Sequence, residues 1–491
     1  MSAPEQSEGD LLARLRAQVG TQGPPQLGRH PVNVPAIADW CDALGDGNPI
    51  YVDEEAAAKS RHGGIVAPPA TLDIWDRPGL PGQPKWRPAD KPPAEDPRSH
   101  VLRMLDEAGY VGVVAVNSEL EIVRYLRPGD LLRNVQILEA VSDEKQTALG
   151  TGYFVTTRQR YETVDGEHVG DLLFRILKFR PGTGTAPAAG TDRPAPDPSS
   201  ELRPRPAINR DNQALYDGYR AHELRVPSCN GCGRVFFPPS PRCSSCGSFD
   251  MGHLVVPGRA TLYSFTVVHH PQVPGFRYPL VVGLVDLDIP ADGRPGRSVR
   301  FVADLVGVRP DQVTIGMPLE VEWLDSHPAQ VEGATDSRGP ISLPQFRPAT
   351  PPRRTETLTA AEVVEGQRLP LWCLPVTPTH IVSGALATRD FQDVHHDRDL
   401  ALRKGSQDIF FNINTSIGLM QRYVTDWTGP ESGVTALRVR LGAPAYPYLP
   451  LTFTGTVQSV DAGSGRVVVA VQASNELGPH ITGVVELELP Q

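Results

Sequence analysis

The sequence predicts an α+β protein in which two copies of one domain flank a small β-barrel. Each copy is expected to be a helix wrapped by a bent antiparallel sheet. Three observations support this prediction. A nine-residue pattern occurs twice, about 340 residues apart, and helix and strand candidates follow each copy in the same order. Between the copies, four of the six cysteines cluster just before a series of short strand candidates.

The two copies of the pattern differ at one chemically decisive position. Aligned on Asp46 and Asp390, the fifth residue further on is Tyr51 in the first copy and His395 in the second. A carboxylate and an imidazole form an acid–base pair, whereas a carboxylate and a phenol do so poorly near pH 7. We therefore predict that the second copy is catalytic through Asp390 and His395 and that the first has lost its chemistry.

The elements of the two outer blocks follow from hydrophobic periodicity and turn residues. In the first block we expect helical segments at 35–44 and 68–75, and strands at 113–125, 130–141, 151–161 and 168–179. In the last block we expect a helix at 413–427, and strands at 434–441, 451–460, 466–474 and 481–489. Seven prolines between Arg77 and Pro97 predict that the first block's central helix is short, because proline cannot continue a helix.

Composition sets the domain boundaries. Stretches rich in proline predict linkers at residues 182–206 and 344–356. The domains are then residues 1–181, residues 207–343 with the cysteines, and residues 357–491. In the middle domain we expect a helical segment at 211–224 and strands at 260–269, 280–287, 298–305 and 318–324.

Bulk properties limit the classes of function. A net charge of −10 argues against a general nucleic-acid binder, which needs a basic surface. Apolar runs fall well short of the ~20 residues of a membrane span, and the N-terminus lacks the pattern of a signal peptide. Sparse cysteines fit a reducing cytoplasm better than a secreted disulfide framework. These properties predict a cytoplasmic protein without nucleic-acid or membrane partners.

The cysteines predict a metal site. Two Cys-x2-Cys pairs, formed by Cys229, Cys232, Cys243 and Cys246, are separated by ten residues. Four thiolates favour tetrahedral Zn²⁺ and leave no open position, so we expect one structural zinc per chain. Two disulfides or a redox pair are the alternative, and both fit the expected compartment badly.

The motif copies and the middle domain each resemble a known family. The outer blocks resemble MaoC-like hydratases, which have the hot-dog fold and the signature Gly-Asp-x-Asn-Pro-(aliphatic)-His-x-Asp; the first copy departs at Tyr51, and the second at Arg389, Gln392 and Asp393. The middle domain resembles a rubredoxin-like zinc ribbon paired with an OB-fold. Between Pro257 and His327 six arginines face eight acidic residues, so we favour protein docking or acyl-CoA binding over nucleic acid.

The resemblance implies an enoyl-CoA hydratase acting on a coenzyme A thioester. Such an enzyme needs a base for water, an acid for Cα and donors at the thioester oxygen. We assign His395 to water activation and Asp390 as its partner, and the reverse assignment stays open. Backbone N–H groups around Phe411 and Asn412, with the Asn412 side chain, are expected to bind the thioester oxygen.

A more specific resemblance concerns substrate and partners. The chain is similar to the heteromeric MaoC-like hydratases of bacterial steroid side-chain degradation, with both partners fused. This resemblance implies a bulky, steroidal enoyl-CoA substrate, a thiolase-like aldolase of the lipid-transfer-protein type docked on the middle domain, and a homodimer within a larger complex. The alternative is a non-catalytic acyl-CoA-binding scaffold. The acyl group and the stereochemistry are not specified by the sequence.

Overall fold

The computed structural model describes residues 8–80, 96–184, 202–289, 299–326 and 341–491. The chain divides into two compact units. Unit 1 consists of Met1–Arg193, Pro352–Pro370 and Val376–Gln491, and unit 2 of Pro194–Pro351 with Leu371–Pro375. Unit 1 holds both motif copies; we call its residues up to 184 the first half and those from 352 the second half. Much of the predicted linker 182–206 and of the proline-rich segment lies outside the described residues.

The first half of unit 1 combines short helices with long antiparallel strands. Its elements are α1 (Glu8–Arg16), β1 (Gln26–Leu27), α2 (Val34–Leu44), α3 (Pro49–Val52), α4 (Glu54–Lys59), α5 (Pro97–Glu107), β2 (Gly112–Ile122), β3 (Leu132–Val141), β4 (Lys145–Gln146), β5 (Thr151–Thr163) and β6 (His168–Phe179). Asn33 caps the start of α2, and Gly45 ends it with a positive φ of 63°.

The central helix of the first half is as short as the prolines predicted. The candidate at 68–75 forms a single 3-10 turn, Pro69–Thr71, followed by further turns. Pro69 supplies no N–H group, and the Ala70 amide donates to the Gln421 side chain at 2.8 Å instead of to a helix carbonyl.

Unit 2 joins a two-stranded ribbon to a closed five-stranded barrel. Its elements are α6 (Gln213–Arg220), β7 (Leu224–Cys229), β8 (Met251–Val256), β9 (Arg259–Val268), β10 (Leu280–Leu287), β11 (Val299–Leu305), β12 (Pro318–Ser326), β13 (Ile341–Pro348) and β14 (Trp372–Leu374). Strands β7 and β8 pair with each other, and the barrel order is β10-β11-β13-β12-β9. Alternate residues of β10 are buried, so its inward side chains fill the barrel core.

The predicted start of the second linker is wrong. Residues 344–348 belong to β13, the fifth strand of the barrel. Proline cannot donate to a sheet, so Pro344 and Pro348 argued against a strand. In the structure β13 pairs along its length with β12 but shares only the Leu305–Phe346 pair with β11. Because β13 makes so few hydrogen bonds to β11, the N–H groups that Pro344 and Pro348 lack are not needed there.

The second half of unit 1 is built around one long helix. Its elements are α7 (Pro378–Ala387), α8 (Arg398–Arg403), α9 (Ile413–Thr428), β15 (Gly433–Leu441), β16 (Leu451–Asp461), β17 (Arg466–Asn475) and β18 (Gly478–Glu488). The 16-residue α9 is buried over nearly its whole length and packs on β15 to β18. A helix wrapped by an antiparallel sheet is the hot-dog arrangement that the sequence predicted.

The two halves of unit 1 share one sheet. Strand β2 pairs antiparallel with β15, from Asn117–Arg440 to Glu121–Ala436, giving the order β1-β3-β5-β6-β2-β15-β18-β17-β16. The helices that precede the motif copies, α2 and α7, also pack on each other. Gly418 of α9 lies so close to α2 that an added Cβ would be 2.6 Å from the Trp40 ring. The halves therefore form a single hydrogen-bonded body.

None of the helices in the described part of the chain has the length and apolar character needed to cross a membrane.

Candidate active site and metal centre

The second motif copy lies on a tight loop between α7 and α8. Arg389 adopts a positive φ of 54°, and the Asp390 amide donates to the Ala385 carbonyl oxygen at 2.9 Å, so the chain reverses directly after α7. The 3-10 turn Asp393–His395 follows. Asp397 then caps α8 by accepting an amide hydrogen bond at 3.0 Å. The reversal and the turn bring the two predicted catalytic side chains together.

Asp390 and His395 form a buried pair. His395 Nε2 lies 3.6 Å from Asp390 Oδ2, with the two side chains 7% and 11% exposed. His395 Nδ1 lies 2.8 Å from the Phe410 carbonyl oxygen. Since a carbonyl oxygen only accepts hydrogen bonds, Nδ1 carries the proton and Nε2 presents a lone pair. Burial lowers the pKa of His395 below its ordinary value of 6.5, against the opposing effect of the Asp390 charge. His395 is therefore neutral at pH 7, the state required of a general base.

The start of α9 lies beside this pair, but two predicted donors there are already engaged. The Phe411 amide donates to the Ala445 carbonyl oxygen at 3.2 Å. Asn412 is the N-cap of α9: its Oδ1 accepts from the Thr415 amide at 2.8 Å, and its Nδ2 donates to Thr388 Oγ1 at 2.5 Å. The prediction that the Phe411 amide and the Asn412 side chain are free donors is corrected accordingly, because both hold the helix end in place.

Backbone amides of the first turn of α9 are available as donors instead. The first intrahelical bond runs from the Ser416 amide to the Asn412 carbonyl oxygen at 3.2 Å. The amides of Asn412, Ile413 and Asn414 precede it, and the hydrogen bonds of the described residues include no acceptor for them. A helix N-terminus with unpaired amides favours a developing negative charge.

A hydrogen-bonded ring that no sequence motif predicts adjoins the same helix end. Arg77 Nη2 donates to Asp73 Oδ2 and to Asn414 Oδ1, both at 2.6 Å. Asn414 Nδ2 donates to Asp73 Oδ1 at 2.6 Å. Two of its members come from the first half of unit 1 and one from α9. No motif marks these residues, and their separation of about 340 positions hides the contact from sequence patterns.

The first motif copy is sealed in the interior. Asp46 and Tyr51 are each 1% exposed. Asp46 accepts from the Asn48 amide at 3.1 Å and lies 3.9 Å from Arg353 Nη2. The Tyr51 hydroxyl accepts from Gln421 Nε2 at 3.4 Å. Burial raises the pKa of Asp46 to about 6 and the pKa of Tyr51 well above its usual range. The phenol stays protonated, so this pair has no base comparable to His395.

The four predicted metal ligands meet at one point of unit 2. Their sulfur atoms all lie within 4.8 Å of one another, with Cys229 Sγ 3.5 Å from Cys246 Sγ and Cys232 Sγ 3.7 Å from Cys243 Sγ. Zn–S bonds of about 2.3 Å at tetrahedral angles place the sulfurs about 3.8 Å apart. None of these four cysteines is joined in a disulfide. Their arrangement fits zinc and excludes the disulfide alternative for these four residues.

Each Cys-x2-Cys pair is folded as the same turn. The Gly233 amide donates to the Cys229 carbonyl oxygen at 2.7 Å, and the Gly247 amide to that of Cys243 at 2.9 Å. Both glycines have a positive φ, of 71° and 77°. A side chain at either position would strain the turn. The repeated turn points both thiols of each pair at one ion.

Three family models match the chain. The model described as "FAS1-like, dehydratase domain region" matches residues 17–172. The model of the "ChsH2, rubredoxin-like zinc ribbon domain" matches residues 217–252, and that of the "ChsH2, C-terminal OB-fold domain" matches residues 255–324. The predictions of a zinc ribbon and an OB-fold are thereby confirmed. The ribbon match together with the sulfur geometry identifies unit 2 as a structural zinc domain.

Curated relatives match different lengths of the chain. It is 39% identical over 312 residues to the "3-oxo-4,17-pregnadiene-20-carboxyl-CoA hydratase alpha subunit" of Mycobacterium tuberculosis, which covers 63% of this chain and 92% of the relative. It is 53% identical over 126 residues to the beta subunit of the same name and organism, covering 26% of this chain and 96% of the relative. A solved "MaoC-like dehydratase" is 16% identical with a TM-score of 0.50, covering 97% of this chain and 99% of that one. That likeness confirms the hot-dog fold.

Proposed function

Because the chain belongs to the family of MaoC-like enoyl-CoA hydratases with a ChsH2-type zinc ribbon and OB-fold, we propose that it hydrates a bulky, steroid side-chain enoyl-CoA. The family makes it a hydro-lyase. The relatives' names support the steroid class, because both refer to a pregnadiene carboxyl-CoA. The observation that carries the proposal is the buried Asp390–His395 pair beside the unpaired amides of α9.

The geometry supports a sequence of proton movements for the reaction. The 3.6 Å gap between His395 Nε2 and Asp390 Oδ2 exceeds a good hydrogen bond and suits two groups that share one water. His395 Nε2 takes a proton from that water while its oxygen bonds to Cβ of the enoyl thioester. The electron pair of the double bond moves toward the thioester oxygen, where the α9 amides stabilise the enolate. The proton taken up by His395 is then delivered to Cα by the Asp390–His395 pair. The pair returns to its starting protonation state, and one H₂O has been added in total.

The contrast between the two halves supports a bulky acyl group. The central helix of the second half is the 16-residue α9. At the corresponding position of the first half, the described residues form only the turn Pro69–Thr71. The turn covers less of the first half's sheet than a helix as long as α9 would, and α5 covers a further part through its contacts with β3. We propose that the part left between them receives the acyl chain. A fused enzyme of this kind would combine the roles that the alpha and beta relatives divide between two chains.

Hydration of a graded series of enoyl-CoA thioesters, from short linear to steroidal acyl groups, tests this function. We expect His395→Ala and Asp390→Asn each to lower kcat by about 10²–10⁴-fold with the fold retained. Tyr51→Phe is the matched control in the other motif copy and should keep near-wild-type turnover. Near-wild-type turnover in either dyad variant would contradict the assignment. Binding of the thioesters without turnover by the wild-type protein would favour the scaffold alternative.

We further propose that unit 2 docks a thiolase-like aldolase. The hydrated product is a β-hydroxyacyl-CoA, which an aldolase cleaves between Cα and Cβ. As the docking site we propose the outer face of the barrel across β9, β10 and β11, where Tyr263 and Val302 are 46% and 61% exposed. Arg300 lies over the Tyr263 ring at 3.4 Å. Aromatic and arginine side chains are favoured anchors of protein interfaces. Phe265, also on β9, packs against the barrel core instead and is not part of this face.

Point variants test the docking face in the full chain. Val302→Asp should abolish co-purification with the aldolase while hydration continues, because a charge on this face opposes apolar contact. Ile315→Asp is the control, since Ile315 is 67% exposed but lies outside β9 and β11. Equal aldolase binding by both variants would move the docking site elsewhere. We propose, from the same resemblance, that the chain forms a homodimer, and light scattering of the same samples tests this.

We also propose a cytoplasmic location. None of the six cysteines forms a disulfide. A thiolate zinc site and cysteines outside disulfides are typical of a reducing compartment. Fractionation of the native host, with zinc content measured in each fraction, tests this location.

A further inference from the structure

We propose that Arg77, which comes from the first half of unit 1, is a positioning residue for the Asp390–His395 pair of the second half. The inference rests on the proposed hydration function and gives the first half a part in the reaction despite its missing histidine. It is carried by two independent sets of contacts, one to α9 and one to the loop that holds Asp390.

The first contact is the ring of Asp73, Arg77 and Asn414. Each member is bonded to the other two at 2.6 Å. Asp73 and Asn414 are buried, at 8% and 4% exposed. Asn414 lies in the first turn of α9 and carries one of the three unpaired amides. A ring closed through a charged guanidinium is stronger than three neutral hydrogen bonds, so it fixes the direction of that turn.

The second contact lies two residues beyond Arg77. The Cα of Gly79 is so close to the catalytic loop that an added Cβ would be 3.1 Å from Arg389 Nη2 and 3.7 Å from the Phe391 ring. Arg389 and Phe391 flank Asp390 in the sequence. The segment that carries Arg77 therefore packs directly on the loop that carries the catalytic carboxylate.

The guanidinium acts on both members of the pair. Burial alone would lower the pKa of Arg77, but the charges of Asp73 and Asp390 raise it, so Arg77 is always a cation. The ionisable groups that act on His395 are Asp390, His396 and Arg77; the carboxylate favours the imidazolium form, and positive charge on either of the other two disfavours it. Arg77 thus attracts the carboxylate while helping to keep the imidazole neutral.

Opposite charge changes in the ring separate this electrostatic role from simple damage. Arg77→Gln keeps a side-chain amide for Asn414 but removes the cation, so the acid limb of kcat/KM should move to higher pH by about 0.5–1 unit. We expect kcat to fall by about 10–100-fold in this variant, because the first turn of α9 is less well fixed. Arg77→Lys keeps the charge and should keep the wild-type acid limb. Asp73→Asn removes a negative charge that partly neutralises Arg77, so the acid limb of this variant's kcat/KM should move to lower pH.

The measurement is kcat and KM against pH for each full-length variant, with its melting temperature. Arg158→Gln is the matched control: Arg158 lies on β5, pairs with Glu139 at 3.2 Å and is 38% exposed, and should leave both kcat and the profile unchanged. Shifts in opposite directions for Arg77→Gln and Asp73→Asn support the proposal. If Arg77→Gln does not fold, the downward shift in Asp73→Asn, with an unmoved limb in Arg77→Lys, supports it equally.

Other outcomes overturn the inference. A wild-type kcat and pH profile in Arg77→Gln would overturn it. Acid limbs that shift in the same direction in Arg77→Gln and Asp73→Asn would also overturn it, because they would indicate structural damage only. A failure of the underlying function is recognised separately, because the wild-type protein would then show no hydration of any enoyl-CoA in the series.

Discussion

Replacing Tyr51 by histidine restores the sequence motif of the first copy, yet we expect no catalytic activity from it. The structure shows why the motif alone is insufficient. Asp46 is turned toward the Asn48 amide and Arg353, and both Asp46 and Tyr51 are 1% exposed. Oxyanion donors are also missing at the turn Pro69–Thr71: Pro69 has no N–H, and the Ala70 amide is bonded to Gln421 at 2.8 Å.

The cost in stability can be worked from the same contacts. The hydrogen bond between Tyr51 and Gln421 is long, at 3.4 Å, so its loss costs at most about 1 kcal/mol. Exchanging a phenol for an imidazole removes roughly 40 Å³ from a fully packed site, which adds about 1 kcal/mol at ~24 cal/mol per Å³. We therefore expect Tyr51→His to lower the free energy of unfolding by about 1–3 kcal/mol.

The decisive assay uses a protein whose own base is absent. His395→Ala and the double variant His395→Ala/Tyr51→His are compared for enoyl-CoA hydration, with urea unfolding of each. Equal residual rates are expected, together with the stability loss from Tyr51→His. Recovery of the double variant by tenfold or more over His395→Ala would refute the reasoning, because it would show that the motif suffices without exposed surface or free amides.

Three further outcomes are expected. Cys243→Ser should reduce bound zinc from one per chain to none in elemental analysis, and it should unfold the ribbon while hydration persists. Cys41→Ser is the control and should keep its zinc. Loss of metal in both variants would contradict the assignment of the ligands. The acid limb of kcat/KM should lie below 6.5, because burial lowers the pKa of His395 and only the neutral form accepts a proton; a limb above 6.5 would contradict this. Gly418→Ala should destabilise unit 1 by about 1–3 kcal/mol in urea unfolding, since its Cβ would be 2.6 Å from Trp40, and unchanged stability would show that the helices separate freely.

Local patterns were enough to predict most strands and the long helix. The strand predicted at 168–179 has the observed bounds His168–Phe179, and the helix predicted at 413–427 is observed as Ile413–Thr428. Local stop signals bound both elements: Asp165-Gly166 and Pro181-Gly182 flank the strand, and the cap Asn412 and Gly429-Pro430 flank the helix, so the sequence contains the information locally. The zinc ligands were equally predictable from the sequence, because all four lie within 18 consecutive residues.

Features that depend on distant contacts were not predictable. The free donors of α9 could be assigned only after the structure showed that Ala445 and Thr388 occupy the Phe411 amide and the Asn412 side chain. The role of Arg77 depends on Asn414, far along the chain. Strand β13 was missed for a related reason: its prolines are tolerated only because of how sparsely β11 pairs with it.

The junction between β2 and β15 sets the order of events during synthesis on the ribosome. About 320 residues separate the paired segments, so at roughly 5–20 residues per second the edge of β2 waits on the order of 15–60 s for its partner. An unpaired edge invites pairing with another nascent chain. Glu119 and Glu121 lie on that edge, and Arg438 of β15 later neutralises them at 3.9 and 3.1 Å. Until then, two β2 edges brought together would place carboxylates side by side, so the charges that finally join the two halves also guard the growing chain against premature association.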